Sequence, residues 1–129
     1  MAQIKIFGIS EKLHPIKIKL SDTIHSCVVE ALQFPKDKRA HRFFSLSKDD
    51  FFYPEGTTDA YTIIEITMIT GRSIETKKQL IRLLFERIKN EVGISVIDLE
   101  ICIYECPAEN WGFRGFNGDE VQLNYKINI

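Results

Sequence analysis

Apolar and polar residues alternate through "AQIKIFGI" (residues 2–9) and again through "TIIEITMI" (62–69). A period of two, rich in β-branched side chains, predicts a strand at each place. Behind each strand the period lengthens. Leu20, Ile24, Val28 and Leu32 recur every four residues and predict a helix over about residues 15–33. Pro15 suits a first helical position, where its missing N–H costs nothing. Leu80, Ile81, Leu84 and Ile88 predict a second helix over 74–91, closed by Gly93. "RAHRFFSL" (39–46) and "DLEICIYE" (98–105) complete the pattern as third and fourth strands.

The two halves fall into step when the chain is shifted against itself by 60 residues. Ile4 meets Ile64, Ile6 meets Ile66, Ile9 meets Ile69, Lys17 meets Lys77 and Leu20 meets Leu80. The expected organisation is therefore a single domain over 1–129. Its pseudo-repeats are about 2–47 and 62–106, with a linking loop 48–61 and a C-terminal tail 107–129. Each repeat reads strand, helix, strand, so its two strands should lie parallel across a right-handed crossover. Side by side, the units give an α+β fold: a four-stranded mixed sheet with both helices on one face. Ile4, Ile6, Ile64, Ile66 and Met68 share the parity that faces the helices. The opposite parity carries Gln3, Lys5, Phe7, Ile63, Glu65 and Thr67, a mixture suited either to water or to cover by another subunit. The loop "SKDDFFYPEGTTDA" contains Phe51, Phe52 and Tyr53, which need something to pack against.

At 129 residues, 44% hydrophobic and 27% charged, the composition is that of an ordinary globular domain. A net charge of −1 gives no reason to expect nucleic acid or an anionic membrane as partner. No apolar run reaches transmembrane length, and no signal-peptide layout opens the chain. Cys27, Cys102 and Cys106 are odd in number and lack CxxC spacing, which favours reduced thiols and a cytoplasmic location. With His14, His25 and His41 scattered, neither a metal site nor a cofactor is expected. His25 and Cys27 read as helix core, and Lys77 and Lys78 as a solvated helix face. His41 and Arg39 share one side of a strand and could give a pocket mouth positive charge or simply protect an edge.

One junction carries candidate chemistry. In "ITMITGRSIETKKQLI", Gly71 permits a tight turn, Ser73 can cap the following helix, and Arg72 stands beside the positive end of the helix dipole. That is either a well-capped turn with a solvated arginine or a site for a carboxylate.

Physics alone leaves two architectures for this element string, a ferredoxin-like sandwich and the tautomerase fold. "GRSIETKKQL" together with the tail "CPAENWGFRGFNGDE" resembles the tautomerase superfamily, the fold of 4-oxalocrotonate tautomerase and macrophage migration inhibitory factor. The 60-residue repeat is what a fused two-unit member should show. The resemblance implies a homotrimer with active sites near subunit boundaries. It also implies a small carboxylate or keto-acid ligand held by Arg72, and Trp111 and Phe113 at the pocket mouth. Arg39 and His41 are expected to contribute from a neighbouring subunit. The family's catalytic residue is an N-terminal proline; here Ala2 holds that position, so its amine is the candidate base only if Met1 is removed. Glu100 stands where simple members carry a second arginine, Lys12 at the first-half turn arginine, and Lys38 where decarboxylase-like members carry an acid. The implied function is weak keto–enol tautomerisation of a small α-keto acid. The alternatives are a degenerate binding or protein-interaction module of the same fold, and a ferredoxin-like metabolite-binding regulatory domain.

Overall fold

A computed structural model describes residues 2–129 and reproduces the two alternating segments to the residue: strand β1 is Ala2–Ile9 and strand β3 is Thr62–Ile69. The remaining strands are β2, His41–Leu46, and β4, Leu99–Cys106. The sheet order is β2-β1-β3-β4, with β1 and β3 antiparallel at the centre and each parallel to its own repeat partner. Two βαβ units lying head to tail produce this arrangement, as the 60-residue shift predicts.

The helical segments differ in detail. The first helical run starts at Ser10 rather than near residue 15, as a short α1, Ser10–Leu13, and a 3-10 turn, His14–Ile16, before α2, Lys17–Leu32. The earlier start has local causes. Ser10 Oγ donates to the Leu46 carbonyl at 3.2 Å, and Leu13 is buried below the sheet end. Pro15 lies inside the 3-10 turn, where its missing N–H is again harmless. The second helix, α3, is Ile74–Arg87 and passes into a π-turn, Ile88–Val92, that ends on Gly93 at φ 87°. An ion pair from Arg87 to Glu30 ties α3 to α2 across their outer edge.

Between helices and sheet, Ile4, Ile6, Ile64, Ile66, Met68, Leu20, Ile24, Leu84 and Ile88 are all buried, so the predicted inward parity holds. The outward parity is half-covered within one chain. Phe7 stacks on Phe44 with ring centroids 4.8 Å apart, while Phe44 and Tyr104 stay exposed. The linking loop divides its aromatics: Phe51 packs beside Tyr61 and Ile9, but Phe52 is 92% exposed. Buried Asp98 anchors this loop by accepting from the Thr58 N–H at 2.8 Å and its hydroxyl at 2.7 Å. The tail forms a small hairpin, β5 Gly112–Phe113 and β6 Phe116–Asn117, followed by irregular chain that returns to the start of α3. Among the described residues no helix is long and apolar enough to cross a membrane.

Candidate active site at the start of strand β1

The Gly-Arg-Ser junction forms as the sequence predicts. Gly71 takes φ 151°, a value that L side chains rarely adopt, and Ser73 caps α3 by accepting the Thr76 N–H at 3.2 Å. Arg72, however, does not project into solvent. It is 5% exposed; Nη1 donates to the Ile69 carbonyl at 3.1 Å, while Nε and Nη2 are buried without a hydrogen-bond partner. Burial lowers its pKa, and only Tyr125 and then Glu105 work in the other direction. Glu105 itself is held by Lys77 at 2.7 Å, which makes Lys77 part of this cluster rather than a solvated helix residue.

Ala2, 4% exposed, ends β1 at a cavity of about 240 Å³. The cavity is lined by Ala2, Phe34, Asp37, Lys38, Arg39, Ala40 and Arg114. Three cations and one carboxylate thus surround it. Arg39 is committed to Asp22 at 2.7 Å, the Lys38 ammonium lies 5.3 Å above the Tyr125 ring, and Arg114 lies 5.2 Å from the Phe113 ring. Tyr125 joins the two halves of the region. Its ring meets Phe34 edge-on at 4.8 Å, and its phenol is raised by burial against the opposing pull of Arg72 and Arg114. Tyr125 thus touches the cavity wall through Phe34 and Lys38 and interacts electrostatically with Arg72. Met1, on which the availability of an amine at Ala2 depends, lies outside the described residues.

His41 faces α2 and does not line this cavity. Its Nδ1 is 2.8 Å from Ser21 Oγ, and burial, then Arg39, lower its pKa to about 4. A neutral imidazole at physiological pH can accept the serine hydroxyl and is a poor base. His25 is structural, with Nε2 2.8 Å from the Lys36 carbonyl. Cys27 is a core thiol pushed up to about 11 by burial, so it is not a nucleophile. Trp111 donates to the Cys106 carbonyl at 3.2 Å and, like Phe113, belongs to the hairpin. Neither is among the residues that line the cavity; Arg114, beside the Phe113 ring, carries the hairpin's contribution. Glu100 accepts from the Tyr61 hydroxyl at 2.7 Å, and the strand register sets it far from Ala2, which lies in the row of Met68 and Glu105. Within one chain it cannot repel a ligand beside Ala2.

Of the candidates read from sequence, then, Ala2 and Arg39 share the cavity and Arg72 stands behind Tyr125. His41, Trp111 and Phe113 lie outside the lining. Asp37 and Arg114, which the sequence does not single out, line the same cavity, and Tyr125 packs on its wall. Asp37 sits in the charged turn before β2 and Arg114 at φ 54° in the hairpin turn, so only charge marked them in the sequence. Among the described residues no group of three or more His, Cys, Asp or Glu side chains could hold a metal ion.

A profile of the tautomerase enzyme family (Tautomerase_2) matches residues 38–114, which is more than half of the chain. The probable tautomerase YusQ of Bacillus subtilis (strain 168) is 32% identical over 100 residues, spanning 74% of this chain and 79% of that protein. Among solved structures, malonate semialdehyde decarboxylase superposes with a TM-score of 0.80 at 20% identity, over 92% of this chain and 99% of that one. The R7 fused 4-OT, an asymmetric trimer, gives 0.79 at 19% identity over 91% and 96%. At such identities the two structures speak for the fold alone, and they favour it over the ferredoxin-like alternative. The profile and the Bacillus relative carry the assignment further: this chain belongs to the tautomerase enzyme family.

Proposed function

We propose that the protein binds a small 2-oxo acid at the Ala2 cavity and, once Met1 is removed, interconverts its enol and keto forms slowly. The observation that supports this most is Arg72, a nine-tenths-buried guanidinium with two unpartnered nitrogens one tyrosine away from a cationic cavity. A buried arginine fork is costly unless a planar anion pairs with it. In the reaction, Arg72 holds the substrate carboxylate, and Lys38 and Arg114 draw the anion in. The α-amine at Ala2 moves a proton between carbon and oxygen. Asp37, the one carboxylate of the lining, can accept a hydrogen bond from the enol hydroxyl or hold the amine in its charged form. Trp111 and Phe113 stiffen the hairpin that carries Arg114. A second reading, a binding module without catalysis, is favoured by one feature: alanine stands where the family's catalytic residue is a proline.

Titration calorimetry with pyruvate should show binding, and Arg72→Ala should weaken it by about 1.5–3 kcal/mol, the range for a hydrogen bond to a charged group. Equal affinity in both proteins would make Arg72 a buried turn residue and nothing more.

The working unit is proposed to be a homotrimer in the cytoplasm. Free thiols at Cys27, Cys102 and Cys106 suit a reducing compartment. The outer sheet face presents the Phe7–Phe44 stack and exposed Tyr104, and the loop presents Phe52, all apolar surface that one subunit leaves uncovered. The fused 4-OT relative of the same fold is a trimer. Light scattering at micromolar concentration should give three times the mass of one chain, and Phe44→Glu should shift it towards monomer. A wild-type monomer would remove the trimer.

A further inference from the structure

The tail does more than end the hairpin. Ile127 lies against the turn that carries Arg72: a Cβ placed on Gly71 would come within 2.5 Å of Ile127 Cγ2 and 3.0 Å of Asn128 Oδ1. Two residues further on, the Ile129 carbonyl oxygen accepts from the Thr76 hydroxyl at 2.6 Å and lies 2.9 Å from Ser73 Oγ. The chain's own oxygen thus occupies the anion-favouring end of α3, next to the side chain that would hold a carboxylate. Upstream, the Tyr125 ring packs edge-on against Phe34, and its phenol interacts electrostatically with Arg72. Residues 127–129 therefore cover the turn on both sides of Arg72, whose side chain is 5% exposed. Yet residues 118–129 contain no helix or strand. Segments held by a few side-chain contacts and no backbone ladder open at low cost.

We propose that residues 125–129 form a strap that competes with carboxylate ligands for the Arg72 site, so that ligand binding and strap docking exclude one another. This rests on the assignment of Arg72 as a carboxylate site and adds its regulation. With the strap down, the guanidinium faces Tyr125 and the helix end is satisfied by Ile129. With the strap lifted, a ligand carboxylate takes over both the arginine nitrogens and the hydroxyls of Ser73 and Thr76. Because the two events share one site, the coupling is reciprocal: whatever factor the strap removes from ligand affinity, the ligand removes from strap docking. Gly71 is then required twice, for its backbone angle and for the seat it leaves to Ile127.

The test combines pyruvate titration with amide hydrogen exchange on the full chain, using wild type, Ile127→Asp and Tyr125→Ala. Two strap variants guard against a folding defect in either, and exchange in β1 and β3 reports whether the core is intact. The expected result is a rise in pyruvate affinity on the order of tenfold in both variants, within the usual span of coupled sites. In wild type, saturating pyruvate should accelerate exchange in residues 125–129. Unchanged affinity in the variants and unchanged tail exchange, with binding still weakened in Arg72→Ala, would overturn the strap and leave the carboxylate site standing. Weaker binding in both variants, with tail protection rising on ligand addition, would make the tail a wall of the site and overturn the competition. No pyruvate binding in any of the well-folded proteins would remove the site and the strap together.

Discussion

Arg72→Met should leave the protein as stable as the wild type or more so, while weakening carboxylate binding by the same margin as Arg72→Ala. The buried guanidinium makes one hydrogen bond, to the Ile69 carbonyl, and leaves Nε and Nη2 unmatched. Desolvation of a charge is compensated only where its polar atoms all find partners. Glu105 does not supply the missing pairing, since its Oε1 belongs to Lys77 and its Oε2 is itself unpartnered. Methionine keeps most of the volume and the flexible packing under the tail, and removes the charge without stranding a counter-ion. Replacing buried ionic groups by apolar ones of similar size is commonly neutral or stabilising by about 1–4 kcal/mol. For a domain of this size that corresponds to a rise in Tm of up to roughly 4 °C per kcal/mol. A thermal melt of the two proteins without ligand decides the matter. A fall of several degrees for Arg72→Met would show that the arginine is paired in solution, for example by a carboxylate of another subunit. Stability retained with binding weakened is the signature of a residue kept for its ligand at the expense of the fold.

The scaffold is far more legible in the sequence than the candidate site is. β1 and β3 could be read to the residue because alternation, β-branching and burial all agree there. The repeat fixed the pairing of the halves for the same reason, since equivalent positions must bury equivalent faces. Boundaries slipped where local contacts override the period. Ser10 begins the first helical run because its hydroxyl reaches Leu46, and β2 starts only at His41. The role of Ser73 as a cap is visible, because capping is decided within four residues. The burial of Arg72 is not, in a turn whose neighbours Gly71 and Ser73 meet Ile127 and Ile129 from a tail more than 50 residues away with no periodicity. Trp111 and Phe113, which the resemblance puts at a pocket mouth, stand outside this chain's cavity lining because of where the hairpin folds. It is Arg114, the residue after Phe113 in the turn, that reaches the cavity. His41 was placed by strand parity on a pocket side, and parity was right, but that side is filled by α2 and Ser21.

Ala2→Pro, made in a form from which Met1 is removed, should raise enol ketonisation by on the order of 10²-fold or more, the usual contribution of a positioned general acid–base. Ala2 is the first residue of β1, and the start of a strand tolerates proline. Its side chain is buried at a cavity whose lining sets Lys38, Arg39 and Arg114 against the single carboxylate of Asp37, so the net field on an amine there disfavours its protonated form. A primary α-amine has a reference pKa near 8 and is mostly protonated at neutral pH unless the pocket is dry. A proline ring fixes the nitrogen's direction, whereas alanine leaves the amine free to rotate away from the reacting carbon. Retention of Met1 would be worse still, since one residue along a strand displaces the amine by about 3.3 Å, and proximity effects fall steeply over such distances. The wild-type protein is therefore expected to ketonise phenylpyruvate or 2-hydroxymuconate slowly or undetectably. Both proteins should be assayed between pH 6 and 9, with mass spectrometry confirming the terminal residue of each. A wild-type rate already equal to that of the proline variant would mean that the primary amine suffices and the site is not degenerate. An inactive proline variant that still binds pyruvate would place the loss beyond the base. The strap over Arg72 would then be the next barrier to remove, in an Ala2→Pro, Tyr125→Ala double variant.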